Sequence, residues 1–344
     1  DGLKPRAVTR DLNWGGNVPW KGADGKVLYV WFDAPIGYIT ATKELEPDNW
    51  EKYWKDEDSS LVHFIGKDNI VFHTIIFPMM LMEHGEYILP ENVPANEFMN
   101  LEGEKISTSR NWAVWLHEYL KDFPDMQDEL RYCLITNLPE SKDSDFSWKD
   151  FQQKNNNELV AILGNYINRV FVLCDKFFDK KVPHLSNNDV DKEIFSDLKE
   201  LKEKIEKSTQ NFKFREAMSY VIDVARIGNK YLTDTEPWKI FKDDPDRVKD
   251  IIHNSIQIVG NISILCEPFL PFTSNKIRGH LNISDLSWDD IGSSVMPPDH
   301  IISGKAHIFS KIEDKTIQDQ IKKLKLNNEN DNVMPQKNTI EFDD

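Results

Sequence analysis

The chain has 344 residues, 40% of them hydrophobic, and a formal net charge of −16 at pH 7. That length suits two domains of the usual ~100–200 residues, and no apolar stretch approaches the ~18 residues of a membrane span. The acidic balance excludes a protein that holds nucleic acid by bulk electrostatics, because phosphate neutralisation needs clustered Lys and Arg.

RNA recognition through a local basic strip and base-specific pockets stays open. Cys133, Cys174 and Cys266 lie far apart and form no Cys-x-x-Cys pair. This argues against a disulfide framework and against a zinc site, and it suits a reducing cytoplasm, with no metal ligands expected. The opening residues carry no initiator Met and nothing like a signal or transit segment.

Taken in chain order, Lys26–Asp33 is a β-rich apolar run entered through a turn signal, and it reads as a buried strand. Leu61–Gly66 reads as a second strand and Asn69–Gly85 as a helix closed by Gly85. Strand and helix alternating with short links predict a parallel α/β sheet. Glu97–Ser109 reads as a β-turn-β element, with Leu101–Glu104 as its turn.

From Trp112 onward the pattern becomes helical. Asp125–Leu138 follows a break at Phe123 and Pro124, and Ser141–Trp148 reads as a polar connector. Asn155–Phe178 is the most periodic segment, with Leu159, Leu163, Tyr166, Val170, Cys174 and Phe177 three or four residues apart. Helices are expected at Asp189–Ser208, Phe212–Leu232, Asp246–Cys266 and Phe269–Leu281, with short connections that favour antiparallel neighbours. Phe309–Leu326 reads as an amphipathic helix and 327–338 as a polar linker. The expected fold class is α/β plus all-α, a Rossmann-type nucleotide-binding parallel sheet followed by an α-helical bundle.

Three runs in this order carry a resemblance: WFDAPIGY at Trp31–Tyr38, HFIGKDNIVFH ending at His73, and KISTSR at Lys105–Arg110. Together they resemble the second half of the catalytic domain of class I methionyl-tRNA synthetases, over roughly residues 1–326. KISTS looks like a variant of that class's Lys-Met-Ser-Lys-Ser signature. The other class I signature, His-Ile-Gly-His, has no counterpart among the nine histidines. The resemblance therefore implies a piece of an enzyme that starts within its catalytic domain, with any zinc-bearing insert before residue 1. It implies a catalytic part at 1–111, a connecting region at 112–150 and an anticodon-binding domain at 151–308. A helix at 309–326 would pack back on the core, and 327–344 would lead toward a C-terminal tRNA-binding domain through which such proteins dimerise.

The implied activity is that of a methionine–tRNA ligase. Its substrates would be L-methionine, ATP with Mg as counter-ion, and methionine tRNA with a CAU anticodon. This chain alone is expected to activate no methionine. By resemblance Trp31, Ala34, Pro35 and Tyr38 line a dry pocket for an unbranched thioether, the Tyr38 hydroxyl reaching its weakly accepting sulfur. Asn69 and His73 lie across that pocket. A pair of core aromatics at a strand end is the plainer account of Trp31 and Tyr38.

Gly66 and Asp68 follow a strand and open a helix, where a parallel sheet places ligands, and the family sets this turn against ATP; Asp68 could equally cap the helix. Lys105, Ser107, Thr108, Ser109 and Arg110 form a phosphate-contacting loop by resemblance, and Thr108 stands where the second lysine usually does. Asn165 and Arg169 are four apart on one helix, offset from its core face, and Trp238 sits at an inter-helix junction. The family reads its anticodon with an Asn, an Arg and a Trp in such settings. Two other functions stay open: a non-catalytic tRNA-binding module, and a class I synthetase for another apolar amino acid. A branched substrate would not need the Tyr38 hydroxyl.

Overall fold

A computed structural model describes residues 7–186 and 191–331. The chain forms two compact units, Asp1–Phe98 with Pro139–Lys142 and Met99–Leu138 with Asp143–Asp344.

The first unit is a small α/β body. Leu61–Val62 pairs in parallel with Pro90–Asn92, and Ile65–Gly66 pairs in parallel with Ala95–Asn96. Between the two pairs runs the expected helical stretch, π-helical at Phe72–Ile76 and α-helical at Phe77–His84. Gly85 ends it at φ 85°, a left-handed cap that favours glycine. The expectation of a strand over Lys26–Asp33 is corrected. Only Val27–Leu28 pairs, antiparallel to Thr9–Arg10, and Val30–Asp33 is a helical turn leading into the helix Ile36–Leu45. Trp54, Phe77 and Leu81 form this unit's buried core.

The second unit has two cores. The smaller lies under a hairpin, Met99–Leu101 with Glu104–Lys105, which confirms the β-turn-β expectation. The supposed polar connector Ser141–Trp148 contains a third strand, Ser144–Phe146, parallel to Met99–Leu101. Phe146 and Trp148 are buried there with Trp112, Tyr119, Phe123 and Phe151. Trp112 donates its indole N–H to the Leu101 carbonyl at 2.9 Å and bridges Ser107 through both backbone groups. One tryptophan thus fastens the loop after the hairpin to the core beneath it.

The larger core is the helical bundle, where sequence periodicity is the dominant signal. Helicity is continuous from Trp148 to Phe178, with Asn155–Gly164 in π-register. Helices Glu193–Gln210, Phe214–Thr235, Pro245–Cys266 and Pro271–Leu281 follow. Pro245–Cys266 is buried all round from Asp250 onward, so it is the bundle's central helix rather than a surface one. Two of its polar side chains, Gln257 and Asn261, are met from the loop 292–296. Gln257 accepts from the backbone N–H of Val295 and Met296, and Asn261 accepts from Gly292. Gly228 lets helix Phe214–Thr235 lie against Tyr166, since a Cβ there would sit 2.2 Å from the Tyr166 ring.

The last described helix runs Asp314–Asp331, not Phe309–Leu326. Ile312, Ile317 and Leu324 join the smaller core, so the helix packs under the hairpin. The polar stretch begins later than expected, because its first residues continue the helix. Residues 332–344, most of the stretch expected to lead toward a C-terminal domain, lie outside the described residues. Among the described residues no helix is long and apolar enough to cross a membrane.

Candidate functional site

In the first unit the aromatic residues singled out by sequence fall into two groups of ring contacts, Trp31 with Phe72 and Tyr38 with His73. Trp31 lies on the turn Val30–Asp33, half-buried, and stacks on Phe72 at 5.4 Å and 24°. Pro35 is buried and Ala34 exposed in the link to Ile36–Leu45. Tyr38 is on that helix, 43% exposed, with its ring 5.4 Å from His63, 5.8 Å from His73 and 6.4 Å from Phe77.

Hydrogen bonding orders the cluster. His73 is buried; its Nδ1 lies 3.0 Å from the Asn69 carbonyl and its Nε2 3.0 Å from the Tyr38 hydroxyl. A carbonyl only accepts, so Nδ1 carries the proton, and in the neutral ring Nε2 accepts from Tyr38. The Tyr38 oxygen keeps its lone pairs for another donor. Asn69 enters through its backbone oxygen in this bond.

Sequence reasoning missed His63. It is 6% exposed, crosses His73 edge-on at 5.1 Å, and its Nε2 is buried without a hydrogen-bond partner. Burial first, then the charge of His73, holds its imidazole below the usual range. It heads the HFIGKDNIVFH run in which His73 was singled out, and it was passed over there.

The turn after Ile65–Gly66 is the 3₁₀ segment Lys67–Asn69, opened by Gly66 with no side-chain cap. The capping account of Asp68 therefore finds no support at this turn. A Cβ on Gly66 would meet the Asp68 carboxylate at 2.8 Å, so these two positions are in close approach.

The KISTS loop belongs to the second unit. Lys105 ends the hairpin, and Ser107 and Ser109 face each other with hydroxyls 3.2 Å apart. Thr108 is exposed, and its carbonyl accepts from Asn111, which has φ 50°. Arg110 folds back, donating to the Lys105 carbonyl at 3.2 Å and lying 3.8 Å from the Glu104 carboxylate. Its charge is partly answered from within the hairpin.

In the bundle, Arg169 and Trp238 come together although 69 positions apart. The guanidinium carbon stands 5.4 Å over the Trp238 ring, and Trp238 is 39% exposed. Arg169 also donates to the Asn229 side-chain oxygen at 3.3 Å, and Asn229 in turn donates to the carbonyls of Ile162 and Ala225. Asn229, which no sequence signal marked, thus fixes the guanidinium. Asn165 is exposed one turn earlier on the Arg169 helix.

Among the described residues no group of three or more His, Cys, Asp or Glu side chains could hold a metal ion. A zinc centre does not fit them.

Comparison with known proteins gives a consistent result. A family model described as tRNA synthetases class I (M) matches residues 1–171, and one described as the anticodon binding domain of methionyl tRNA ligase matches residues 182–328. The methionine–tRNA ligase of Bacteroides fragilis strain YCH46 is 57% identical over 100% of this chain and 52% of its own length. That of Flavobacterium johnsoniae is 52% identical over 100% of this chain and 54% of its own. The chain spans about half the length of the curated relatives it matches. Among solved structures, Mycobacterium tuberculosis methionyl-tRNA synthetase in complex with methionyl-adenylate has a TM-score of 0.76 at 25% identity, covering 89% of this chain and 60% of that one. Its apo form gives 0.73 at 23% identity and the same coverage.

Proposed function

The chain belongs to the class I methionyl-tRNA synthetase family, and we propose that it works within a methionine–tRNA ligase as the part that reads the CAU anticodon and forms a wall of the methionine pocket. The enzyme's reaction would be attack of the methionine carboxylate on the α-phosphorus of ATP, expelling pyrophosphate, then transfer of the methionyl group to the terminal ribose of methionine tRNA. Mg²⁺ would accompany the ATP. Three buried, free cysteines suit a reducing cytoplasm.

The observation that carries this proposal is the Arg169–Trp238 pair, set by Asn229 and accompanied by Asn165. Single-stranded bases are read by stacking on aromatic faces and by hydrogen bonds to splayed edges. An indole that is part exposed, with a held guanidinium over it and a free amide one turn away, offers both. The net charge of −16 predicts modest, salt-sensitive affinity, so selectivity has to come from these contacts.

For the amino acid, Trp31, Ala34, Pro35, Tyr38, Asn69 and His73 would line the pocket, with His63 and Phe72 behind them. A methionine side chain presents an acceptor sulfur and an unbranched apolar stem, which suits aromatic walls with one polar handle. Gly66 and Asp68 would meet the ribose of ATP. Lys105, Ser107, Thr108, Ser109 and Arg110 would meet its phosphates.

The test is binding of the 344-residue chain to anticodon stem-loops at fixed salt. Wild type is expected to prefer CAU over single-base variants. Trp238→Ala should weaken CAU binding by about 1–3 kcal/mol, the worth of one base–aromatic stack. Arg169→Ala should relax selectivity at one anticodon position, whereas losing a phosphate contact would weaken every sequence alike. No preference in the wild type would make Asn165, Arg169 and Trp238 ordinary surface residues.

A further inference from the structure

A cavity of about 320 Å³ opens beside Asn165, at the low end of the ~300–1,000 Å³ range of small-ligand sites. One wall is formed by Val160, Gly164, Asn165 and Asn168, where the π-helical stretch Asn155–Gly164 passes into the α-helix Asn165–Phe178. Single π-helical segments recur at functional sites. The facing wall is the strap Lys305–Phe309. Bonds just beyond the cavity hold that strap: Asn155 donates to the Ser310 carbonyl at 2.9 Å, and Asn156 accepts from the Ile312 N–H at 2.9 Å. Gly164 keeps the strap close, since a Cβ there would lie 3.2 Å from both the Leu159 carbonyl and the Phe309 ring.

The lining is chemically mixed. Val160, Ile308 and Phe309 supply apolar surface, and exposed Lys305 brings a positive charge in an acidic chain. Asn165 and Asn168 are three apart, on one helix face. The Asn168 Oδ1 is buried and has no hydrogen-bond partner. Buried polar atoms are nearly always paired, so the orphan acceptor of a residue that lines the cavity asks for a donor, which a ligand can supply once the Asn168 amide turns toward it. An amide oxygen accepts only, so that donor has to be an N–H or O–H of the ligand.

We propose that this cavity takes the nucleobase immediately beside the CAU triplet in the same RNA loop. That base would lie against Val160 and Phe309, give an exocyclic amino hydrogen to Asn168 Oδ1, and bring its phosphate toward Lys305. The proposal rests on the anticodon reading, because Asn165 both lines the cavity and precedes by one turn the Arg169 that covers Trp238. A loop base splayed from its neighbours is read in this manner, by its edge and its face. Adenine and cytosine carry an exocyclic amino group that projects from the pairing edge, whereas uracil offers only its ring N3–H, set between two carbonyl oxygens that repel another acceptor.

The experiment uses the full 344-residue chain and CAU stem-loops whose nucleotide on each side of the triplet is A, C, U or abasic, at fixed salt. At one flank, A or C should bind about five- to tenfold tighter than U or the abasic site, the worth of one hydrogen bond to a buried acceptor. Asn168→Ala should remove that difference and keep the CAU preference. Lys305→Gln should weaken all loops alike and lower the slope of log K against log salt by about one. The wild-type comparison needs no variant, so misfolding of a mutant leaves it intact. Equal binding of all flanking bases with CAU preference retained overturns the subsite alone, as does a flank effect that survives Asn168→Ala. Loss of CAU preference in the wild type overturns the anticodon reading and the subsite together.

Discussion

On the proposed reading, Lys105→Ala should slow methionyl-adenylate formation about 10²–10³-fold in a methionine–tRNA ligase that contains this chain, the usual loss when a preorganised contact to developing charge is removed. Thr108→Ala should cost far less. The reason lies in which charges the loop has to offer. In phosphoryl and nucleotidyl transfer the protein mainly positions groups and neutralises charge that builds on phosphate oxygens. Thr108 stands where the signature carries a second lysine, so that position supplies a hydroxyl and no charge. Arg110 is committed to the hairpin, donating to the Lys105 carbonyl and lying 3.8 Å from Glu104. The motif's other cation is Lys105, at the end of a hairpin that Trp112 ties to the core through the Leu101 carbonyl of the partner strand. ATP–pyrophosphate exchange, with single-turnover rates beside it, measures the two substitutions. Equal losses would mean that the loop acts through its backbone N–H groups or through Arg110.

The helical half was legible because apolar residues recur there every three or four positions. Leu159, Leu163, Tyr166, Val170 and Cys174 are all buried where the spacing put them. The first unit was less legible, because its strands are two or three residues long. Lys26–Asp33 has the composition of a strand, but its second half turns helical. The carbonyls of Tyr29 and Val30 accept from Phe32 and Ala34, and Trp31 gains its partner, Phe72, 41 residues away. Composition cannot report a contact of that range. Ser144–Phe146 failed in the opposite sense. Its side chains look like a linker, and what makes it a strand is backbone pairing with Met99–Leu101.

The candidate site divides along the same line. Tyr38, His73, Arg169 and Trp238 stood out through short motifs. His63 was passed over inside one of them and Asn229 lies outside them, since each meets its partner only after the chain has folded back over 10 to 60 positions. A residue that orients another has no spacing of its own to betray it. The tautomer of His73 belongs with them, because it follows from an Asn69 carbonyl whose direction no sequence encodes.

Glu129→Gln should stabilise the protein at pH 8 by about 3 kcal/mol and leave it nearly unchanged at pH 4.5. Glu129 is 4% exposed on the helix Gln127–Thr136, and burial pushes its carboxyl up to about 7. Lys276 pulls the other way and Asp128 adds to the rise. Asp128 is itself raised by burial, against the Thr273 N–H that it accepts at 2.5 Å and Arg131 at 3.9 Å. The folded pKa of Glu129 lies above its unfolded value of about 4.5. Below pH 4.5 both states carry the proton and ionisation takes nothing from stability. Between about pH 4.5 and 7 the unfolded chain has lost a proton that the folded chain keeps, so stability falls as pH rises. Above about pH 7 both are ionised and the full cost of the buried charge is present, at about 1.4 kcal/mol for each pH step between the two values. Glutamine keeps the shape and removes the charge, so the difference between variant and wild type should grow across that window and then level off. Urea unfolding at a series of pH values, followed by the helical circular dichroism signal, reads it directly. A difference that is flat with pH would mean that Glu129 titrates as an ordinary surface carboxylate, through water that reaches its side chain.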